Sequence, residues 1–143
     1  MADSDRFQDN SSGIITDNKY KKDWLPKDSW GDLGQWRNYN EAIAYVRLMN
    51  QVYAGGYSNW RLPTKQEAED LFDLAYDQMD WEDEIVHIST LFVTKCSNYI
   101  WTSETDENKN ACRINLRNKE LDYIDPNTRE HQAARLVRDI AKE

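Results

Sequence analysis

Cysteine and histidine are the residues of this 143-residue sequence that could support nucleophilic or redox chemistry. Cys96 and Cys112 could form one disulfide, or a reactive thiol if a neighbouring base activated it. No histidine lies beside either cysteine, and His87 and His131 stand alone without the spacing of metal ligands. We therefore predict free thiols and no catalytic residue, with Cys112 as a small core residue and Cys96 in a loop where it could be exposed.

Oxygen-bearing side chains alternate over residues 106–110, as they do in calcium-binding loops. An EF-hand would need a glycine where Ala111 stands and a glutamate where Arg117 stands. We interpret the segment as a solvated loop and predict no metal and no other cofactor. The weak alternative that we retain is a calcium site formed by Asp106, Asn108 and Asn110.

Aromatic side chains are the third group with a chemical use, because tryptophan, tyrosine and arginine anchor many protein interfaces. The chain has six tryptophans, eight tyrosines and three phenylalanines. We expect binding residues on irregular loops, which can vary while a rigid scaffold holds them in place. The predicted binding residues are Trp30, Trp36, Trp81, Tyr99, Asn108, Asn110 and Tyr123.

The composition favours a folded domain and excludes some partners. Charged residues make up 31% of the chain and the mean hydropathy is −0.93, which favours disorder, but the aromatic content favours a packed core. A formal net charge of −8 repels a phosphate backbone, so we expect no nucleic-acid partner. No signal peptide and no membrane-spanning run is visible, so we expect no membrane partner and a cytoplasmic location, or export if a signal peptide has been removed.

The elements that must position these residues begin with a predicted hairpin. Residues 1–12 are expected to be a flexible tail, and residues 13–143 to form one domain. Short extended segments at 13–16 and 23–25 flank a polar turn, which is typical of a β-hairpin. Residues 25–37 contain a proline and two glycines, so we predict an irregular loop there, pinned by the burial of its tryptophans.

Two amphipathic helices and a set of strands follow. We predict that the first helix is capped by Asn40 and stops at Gly55 or Gly56. Thr64 and Glu67 form a capping-box pattern, which predicts a second helix beginning at Lys65. Residues 99–103, 111–116, 120–123 and 134–138 are rich in strand-forming residues. This order of elements predicts an α+β fold with helices flanking an antiparallel sheet.

A family resemblance rests on the run AGGYSNWRLPT at residues 54–64. This run resembles the hallmark of the DUF1566 family, also called the Lcl C-terminal domain. Residues 13–19 resemble the opening strand and turn of that family, and residues 40–49 its first helix. Residues 99–104 resemble its Trp-Ser-Ser-Thr-Glu strand, and residues 135–138 its closing strand. The resemblance extends from about Arg6 to Arg138.

The resemblance implies a C-type-lectin-like fold, similar also to that of the formylglycine-generating enzymes. Such a fold has two helices flanking short, twisted antiparallel strands, with long irregular loops. The motifs that bind calcium and sugar in lectins, Glu-Pro-Asn, Gln-Pro-Asp and Trp-Asn-Asp, are absent. In the hallmark we expect a buried tryptophan and an arginine that holds loops through paired hydrogen bonds. The residues expected to be structural are Trp60, Arg61, Pro63, Thr64, Glu67 and Trp101.

These observations favour a non-enzymatic recognition module that binds through its loops. A protein partner is favoured over a glycan, because the lectin motifs are absent and interfaces are commonly anchored by aromatic residues. One alternative is a metal- or thiol-dependent protein, in which Cys96, Cys112 and the acidic loops converge. Another alternative is a structural subunit that buries its aromatic residues in a homo-oligomer. The sequence does not distinguish oligomeric states.

Overall fold

The computed structural model describes residues 6–10 and 13–140 of the chain. Among these residues, three strands precede the helices and seven strands follow them, and this separation of helices from strands along the chain confirms the α+β class. The helices are α1 (Ser29–Leu33), α2 (Tyr39–Gln51) and α3 (Lys65–Leu71). The strands before α1 are β1 (Phe7–Asp9), β2 (Ile15–Asp17) and β3 (Lys22–Trp24). Those after α3 are β4 (Gln78–Met79), β5 (Ile85–Val86), β6 (Tyr99–Thr105), β7 (Ala111–Asn115), β8 (Leu121–Ile124), β9 (Gln132–Ala133) and β10 (Val137–Asp139).

One sheet joins the two ends of the described chain in the order β1-β2-β3-β10. The predicted hairpin is confirmed, because β2 and β3 pair antiparallel. The predicted tail over residues 1–12 is wrong for residues 6–10, since Phe7 is buried in β1 and Arg6 pairs with Asp17 at 2.8 Å. One apolar residue among polar neighbours gives no alternating pattern, so the sequence did not reveal this strand, which buries a single side chain. Residues 1–5 and 11–12 lie outside the described residues.

A second sheet has the order β8-β7-β6-β9. Its three longest strands pair antiparallel, while β9 runs parallel to β6 with Tyr99 opposite Gln132. The strands predicted at 99–103, 111–116 and 120–123 are confirmed as β6, β7 and β8. The single strand predicted at 134–138 is replaced by two short strands. β9 ends just before the predicted range and belongs to this sheet, and β10 covers the end of the range and belongs to the first sheet.

The helix starts follow from capping chemistry. Thr64 caps α3 and exchanges hydrogen bonds with Glu67, so the predicted capping box and first residue are confirmed. Asn38, not Asn40, caps α2, because its side chain accepts the N–H of Glu41 while the Glu41 carboxylate accepts the N–H of Asn38. The prediction was two residues late because it did not use this second capping box.

The segment predicted as an irregular loop at 25–37 contains the short helix α1. Asp28 caps it by accepting the N–H of Gly31, and Gly34 ends it in the left-handed region at φ 67°. The glycines that suggested a loop are therefore one helical residue and one helix stop. A single turn of helix leaves little periodicity in a sequence, which is why the pattern did not reveal it.

The core consists of two buried clusters. One surrounds Trp24 and Phe92, and the other surrounds Trp60 and Trp101. The predicted burial of Trp60, Trp101 and Cys112 is confirmed. Cys96 is also buried, so its predicted exposure in a loop is wrong: it packs in the first cluster, and its carbonyl oxygen accepts the N–H of Trp81.

Candidate functional site

The hallmark segment at 54–64 is anchored at Trp60, whose side chain is 2% exposed. The indole Nε1–H of Trp60 donates to the Ala54 carbonyl at 2.8 Å, and the side chain of Asn50 bonds both the N–H and the C=O of Trp60. Gly55 has φ 62°, and a Cβ there would lie 2.8 Å from Ile14, so a glycine is required. Every polar group of this indole and its backbone is thus paired inside the protein.

Arg61 continues this saturated arrangement at the surface. Its guanidinium group donates to both carboxylate oxygens of Glu67, at 2.6 and 2.7 Å, and to Asp139 at 3.0 Å. Lys22 bonds the same two carboxylates. Burial alone would raise the pKa of Glu67, but the hydrogen bonds from Arg61, from the Thr64 N–H and from Lys22 lower it to about 2. The predicted paired hydrogen bonds of the hallmark arginine are confirmed.

A groove of about 440 Å³ runs beside the hallmark, between it and the outer face of α2. Ile43, Val46 and Leu62 form its apolar part. Its charged groups are Arg61 and Asp139, which bond to each other, and the exposed Arg47 of α2. The groove therefore offers apolar contact, and the charged groups of its hallmark side are already paired.

A second aromatic region, which we call the aromatic corner, consists of Trp30, Trp36, Trp81 and His131. The rings of Trp30 and Trp36 stack with centroids 3.8 Å apart and planes 3° apart. Trp81 and His131 form a tilted pair at 4.2 Å and 32°. Both rings of that pair lie steeply against Trp36, at 72° and 77°. Two ring pairs thus meet nearly at a right angle, and the three indoles are only partly buried.

Asp28 fixes the helix that carries Trp30. Its carboxylate is buried, and one oxygen accepts the N–H of Gly31 at 2.8 Å. The other oxygen accepts the N–H of Ser97 at 2.8 Å and contacts the buried guanidinium group of Arg135 at 3.5 Å. One side chain therefore joins α1 to the chain before β6 and to the chain after β9.

Main-chain hydrogen bonds attach the loop of Trp36 to the strand beside His131. The N–H of Arg37 donates to the Gln132 carbonyl at 3.0 Å, and Ser29 exchanges hydrogen bonds with Ala134 at 2.9 Å. The Ser97 hydroxyl donates to the carbonyl of His131. Three distant parts of the sequence thus converge on a framework of buried bonds, and the rings rest on it.

Asp80 performs the same task for Trp81. Its fully buried carboxylate accepts the backbone N–H groups of Glu82 and Glu84 and the guanidinium group of Arg117 at 2.7 Å. The indole N–H of Trp81 donates to the side-chain oxygen of Asn98 at 2.9 Å. The loop that carries Trp81 is therefore a tight, fully bonded turn, so the position of its indole is fixed.

A recess of about 450 Å³ lies against Trp36, and we call it the Trp36 recess. Its other lining residues are Gln35, Arg37, Glu41 and Arg129. Arg129 donates to both oxygens of Glu41 at 2.9 and 2.7 Å, whereas Arg37 reaches it with one nitrogen at 3.4 Å. The hydrogen bond from Arg129 is the main reason why the pKa of Glu41 is lowered. One carboxylate is thus shared between two guanidinium groups.

The predicted binding residues separate into three places. Trp30, Trp36 and Trp81 come together in the aromatic corner. Tyr99 lies near them at the start of β6, but the guanidinium group of Arg113 covers its ring at 3.8 Å. Tyr123 is exposed on β8, which is the edge strand of its sheet. The structure does not bring Tyr123 into the corner.

Asn108 and Asn110 lie in the turn between β6 and β7, at the end of β6 far from Tyr99. At 3.3 Å per residue, β6 separates that turn from the corner by roughly 20 Å. Asp106 accepts the backbone N–H groups of both asparagines at 2.9 Å, so its carboxylate closes the turn. No group of three or more histidine, cysteine or acidic side chains in the described residues could hold a metal ion.

His131 is the member of the corner that the sequence did not indicate. In the sequence it stands alone, and nothing in its neighbourhood indicates a ring contact. The spacing of Trp30 and Trp36 around a helix-stop glycine was the available signal for stacking, because Gly34 reverses the chain between them. No local pattern could have joined His131 to Trp81, fifty positions earlier.

The cysteines do not supply a reactive site. Both are free thiols in the structure. Burial raises the pKa of Cys96 to about 11, and burial likewise raises the pKa of Cys112. A nucleophilic thiol needs the opposite environment, exposed and electropositive.

The chain thus combines an α+β scaffold, a hallmark segment whose polar groups are paired internally, and a partly exposed aromatic corner. The family model of the Lcl C-terminal domain matches residues 13–138, and the chain belongs to that family. No curated protein and no solved structure matches the chain. Among the described residues, we find no helix with the length and apolar character needed to cross a bilayer.

Proposed function

We propose that this protein is a non-enzymatic recognition module that binds a protein partner through the aromatic corner. The scaffold that we propose for it is C-type-lectin-like, as the family resemblance implies. The observation that carries the proposal is the assembly of Trp30 from α1, Trp36 from the loop after it and Trp81 from the loop between β4 and β5 into one partly exposed group of rings. Buried hydrogen bonds keep these segments in place.

The physical case rests on preorganisation. Tryptophan contributes a large contact area with few torsion angles to fix, so little conformational entropy is lost when a partner covers it. Here the ring contacts and the buried carboxylates of Asp28 and Asp80 fix the torsions before binding. Preorganised aromatic residues of this kind are typical hot spots of protein interfaces.

The alternative functions receive less support. A thiol-dependent activity is disfavoured because the raised pKa values of Cys96 and Cys112 leave little thiolate at neutral pH. A glycan could stack on the corner, but no calcium-dependent sugar motif occurs in the sequence. A homo-oligomer would use the same surface with a second copy as its partner, and it would be recognised by crosslinks between two copies of this chain.

The test is site-specific photo-crosslinking in the native cell. A benzophenone amino acid at the exposed residue Gln35 should crosslink a partner, whereas the same probe at the exposed residue Gln51 should not. The crosslinked protein is identified by mass spectrometry, purified and titrated against this chain. We expect Trp36→Leu to weaken that interaction at least tenfold and the exposed control Leu74→Ala to leave it unchanged.

Three results would contradict the proposal. A partner that binds Trp36→Leu as tightly as the parent would use another surface. Equal crosslinking from Gln35 and Gln51 would indicate non-specific contact. A crosslink only to a second copy of this chain, with a dimer in solution, would replace recognition by self-assembly.

A further inference from the structure

We infer that the Trp36 recess receives an acidic side chain of the partner, so that the docking segment carries an aspartate or glutamate next to the residue that packs on the aromatic corner. This inference rests on the proposed function. It adds the chemical identity of one partner group. The grounds are the unused guanidinium donors of Arg37 and Arg129 and their shared counter-ion.

The hydrogen-bond inventory of the recess shows the spare capacity. A guanidinium group has five N–H donors in a planar fork. Arg129 uses Nε and Nη2 for Glu41, which leaves its Nη1 donors unused, and Arg37 uses only Nη1 in a long contact of 3.4 Å. Nothing else in the described residues accepts from these two guanidinium groups. A planar carboxylate would find matching donors on both.

The charges of the recess point in the same direction. Two guanidinium groups face one carboxylate, and the carboxylate of Glu41 is further occupied by the N–H of Asn38 at 2.9 Å. The arginines of the hallmark and of β7 differ, because Arg61 and Arg113 each bond two carboxylates. The Trp36 recess therefore retains one positive charge, in a protein whose net charge is −8.

The backbone of the recess indicates a side-chain carboxylate rather than a chain terminus. Capture of a C-terminal carboxylate typically uses a nest of free backbone N–H groups, whereas arginine clusters read acidic side chains. Here the N–H of Arg37 bonds the Gln132 carbonyl and the N–H of Asn38 bonds Glu41. The guanidinium groups are thus the donors that remain. The net charge of −8 disfavours a polyanion and still permits a single carboxylate.

The test uses two capped dipeptides as probes, acetyl-Phe-Glu-amide and its neutral isostere acetyl-Phe-Gln-amide. Each is titrated into the ¹⁵N-labelled chain, and the indole signal of Trp36 and the Nε signals of Arg37 and Arg129 are followed by NMR. We expect the glutamate probe to bind about five times more tightly than the glutamine probe, as a partly exposed charge-assisted contact allows. The difference should shrink as salt is raised.

Variants make the assignment specific. Arg129→Gln and Arg37→Gln should each reduce the preference for the glutamate probe, and the double variant should abolish it. Glu41→Gln should increase the preference, because it removes the competing carboxylate while glutamine still completes the helix cap. Arg47→Gln is the matched control: it removes an exposed arginine on the same helix and should leave the preference unchanged.

The results separate this inference from the proposed function. Equal binding of both probes, with Trp36 perturbed, would overturn the carboxylate assignment and leave the corner as a docking surface. A preference that persists in the double arginine variant would also overturn it. If neither probe shifts the Trp36 or arginine signals, the recess assignment fails, while the crosslinking experiment decides the recognition proposal independently.

Discussion

The hallmark and the aromatic corner are built from the same residue types and differ in how far those residues are satisfied. In the hallmark, Trp60 is buried with all its polar atoms paired, and Arg61 bonds two carboxylates. In the corner, Trp36 is partly exposed, and in the adjoining Trp36 recess Arg37 and Arg129 share one carboxylate. A buried indole or a fully paired guanidinium group has no exposed face or free donor for a partner. A partly exposed ring, or a guanidinium group with free donors, can bind one if it is held rigidly.

Residue type therefore does not separate scaffold from recognition surface in this protein. The two surfaces differ in how many of their polar side-chain groups are already hydrogen-bonded within the protein. The buried carboxylates Asp28 and Asp80 accept the backbone N–H groups beneath the corner, so the segments that carry the rings are held in place without a partner. The scaffold thereby fixes the loops and leaves the aromatic faces available.

The largest effect should come from Trp60→Ala. Truncating this buried tryptophan leaves a cavity and removes the hydrogen bond from its indole to the Ala54 carbonyl, which costs about 3–5 kcal/mol of the free energy of unfolding. Urea denaturation followed by far-UV circular dichroism measures this directly. A loss as small as that of Trp30→Ala would show that the hallmark is no more structural than the corner.

The next effect concerns the stability of the hallmark in acid. The pKa of Glu67 is lowered to about 2 in the folded protein from an ordinary value of 4.5, so its stabilisation is fully present above pH 4.5 and is lost as the pH falls towards 2. This linkage amounts to about 3 kcal/mol. The free energy of unfolding of the parent should therefore fall more steeply in this range than that of Glu67→Gln.

A matched variant controls for general acid effects. Glu120→Gln removes an exposed carboxylate and should leave the steepness of the parent curve unchanged. Parallel curves for the parent and Glu67→Gln would mean that Arg61 and Lys22 do not hold the folded carboxylate in its charged form. The pairing that distinguishes the hallmark would then be absent in solution.

Sequence reasoning reached the hallmark because its determinants are local. The capping box of Thr64 and Glu67 spans three positions, and the burial of Trp60 follows from residue type and from the family resemblance. The same reasoning missed α1, which is a single turn, and β1, which buries one side chain. Short elements held by tertiary contacts leave too little periodicity to be recognised.

The corner was predicted as a set of residues but not as a site. Aromatic character and a predicted loop position favour Trp30, Trp36 and Trp81, but they favour Tyr123 equally. A predicted loop position also favours Asn108 and Asn110. Only the pairing of β9 with β6 and the bonds of Asp28 decide which of them meet. Such long-range contacts have no local signature, so the sequence could not separate the two groups or include His131.

A smaller change is expected from Trp30→Ala. Loss of a stacked, partly exposed ring should cost about 1–2 kcal/mol, of which the ring pairing itself contributes about 0.5–1.5 kcal/mol. The NMR signals of the Trp36 ring protons should move, because the ring-current shielding from the stacked ring of Trp30 is removed. An unchanged signal would show that the two rings do not stack in solution, and the preorganisation argument for the corner would fail.

The smallest effect on stability should be that of Arg129→Gln, and it allows a direct comparison of an arginine in the Trp36 recess with Arg61 in the hallmark. Arg129 has a side chain that is 55% exposed, so removal of its ion pair with Glu41 should leave the free energy of unfolding nearly unchanged. Arg61→Gln, the same change in the hallmark, should cost about 1–2 kcal/mol, because it leaves the carboxylate of Glu67, which is 12% exposed, with Lys22 as its remaining cationic partner. Parallel urea titrations measure both. Equal losses of unfolding free energy would mean that Arg129 stabilises the fold as much as Arg61 does. A clear difference would show that Arg129 can bind a partner without destabilising the protein.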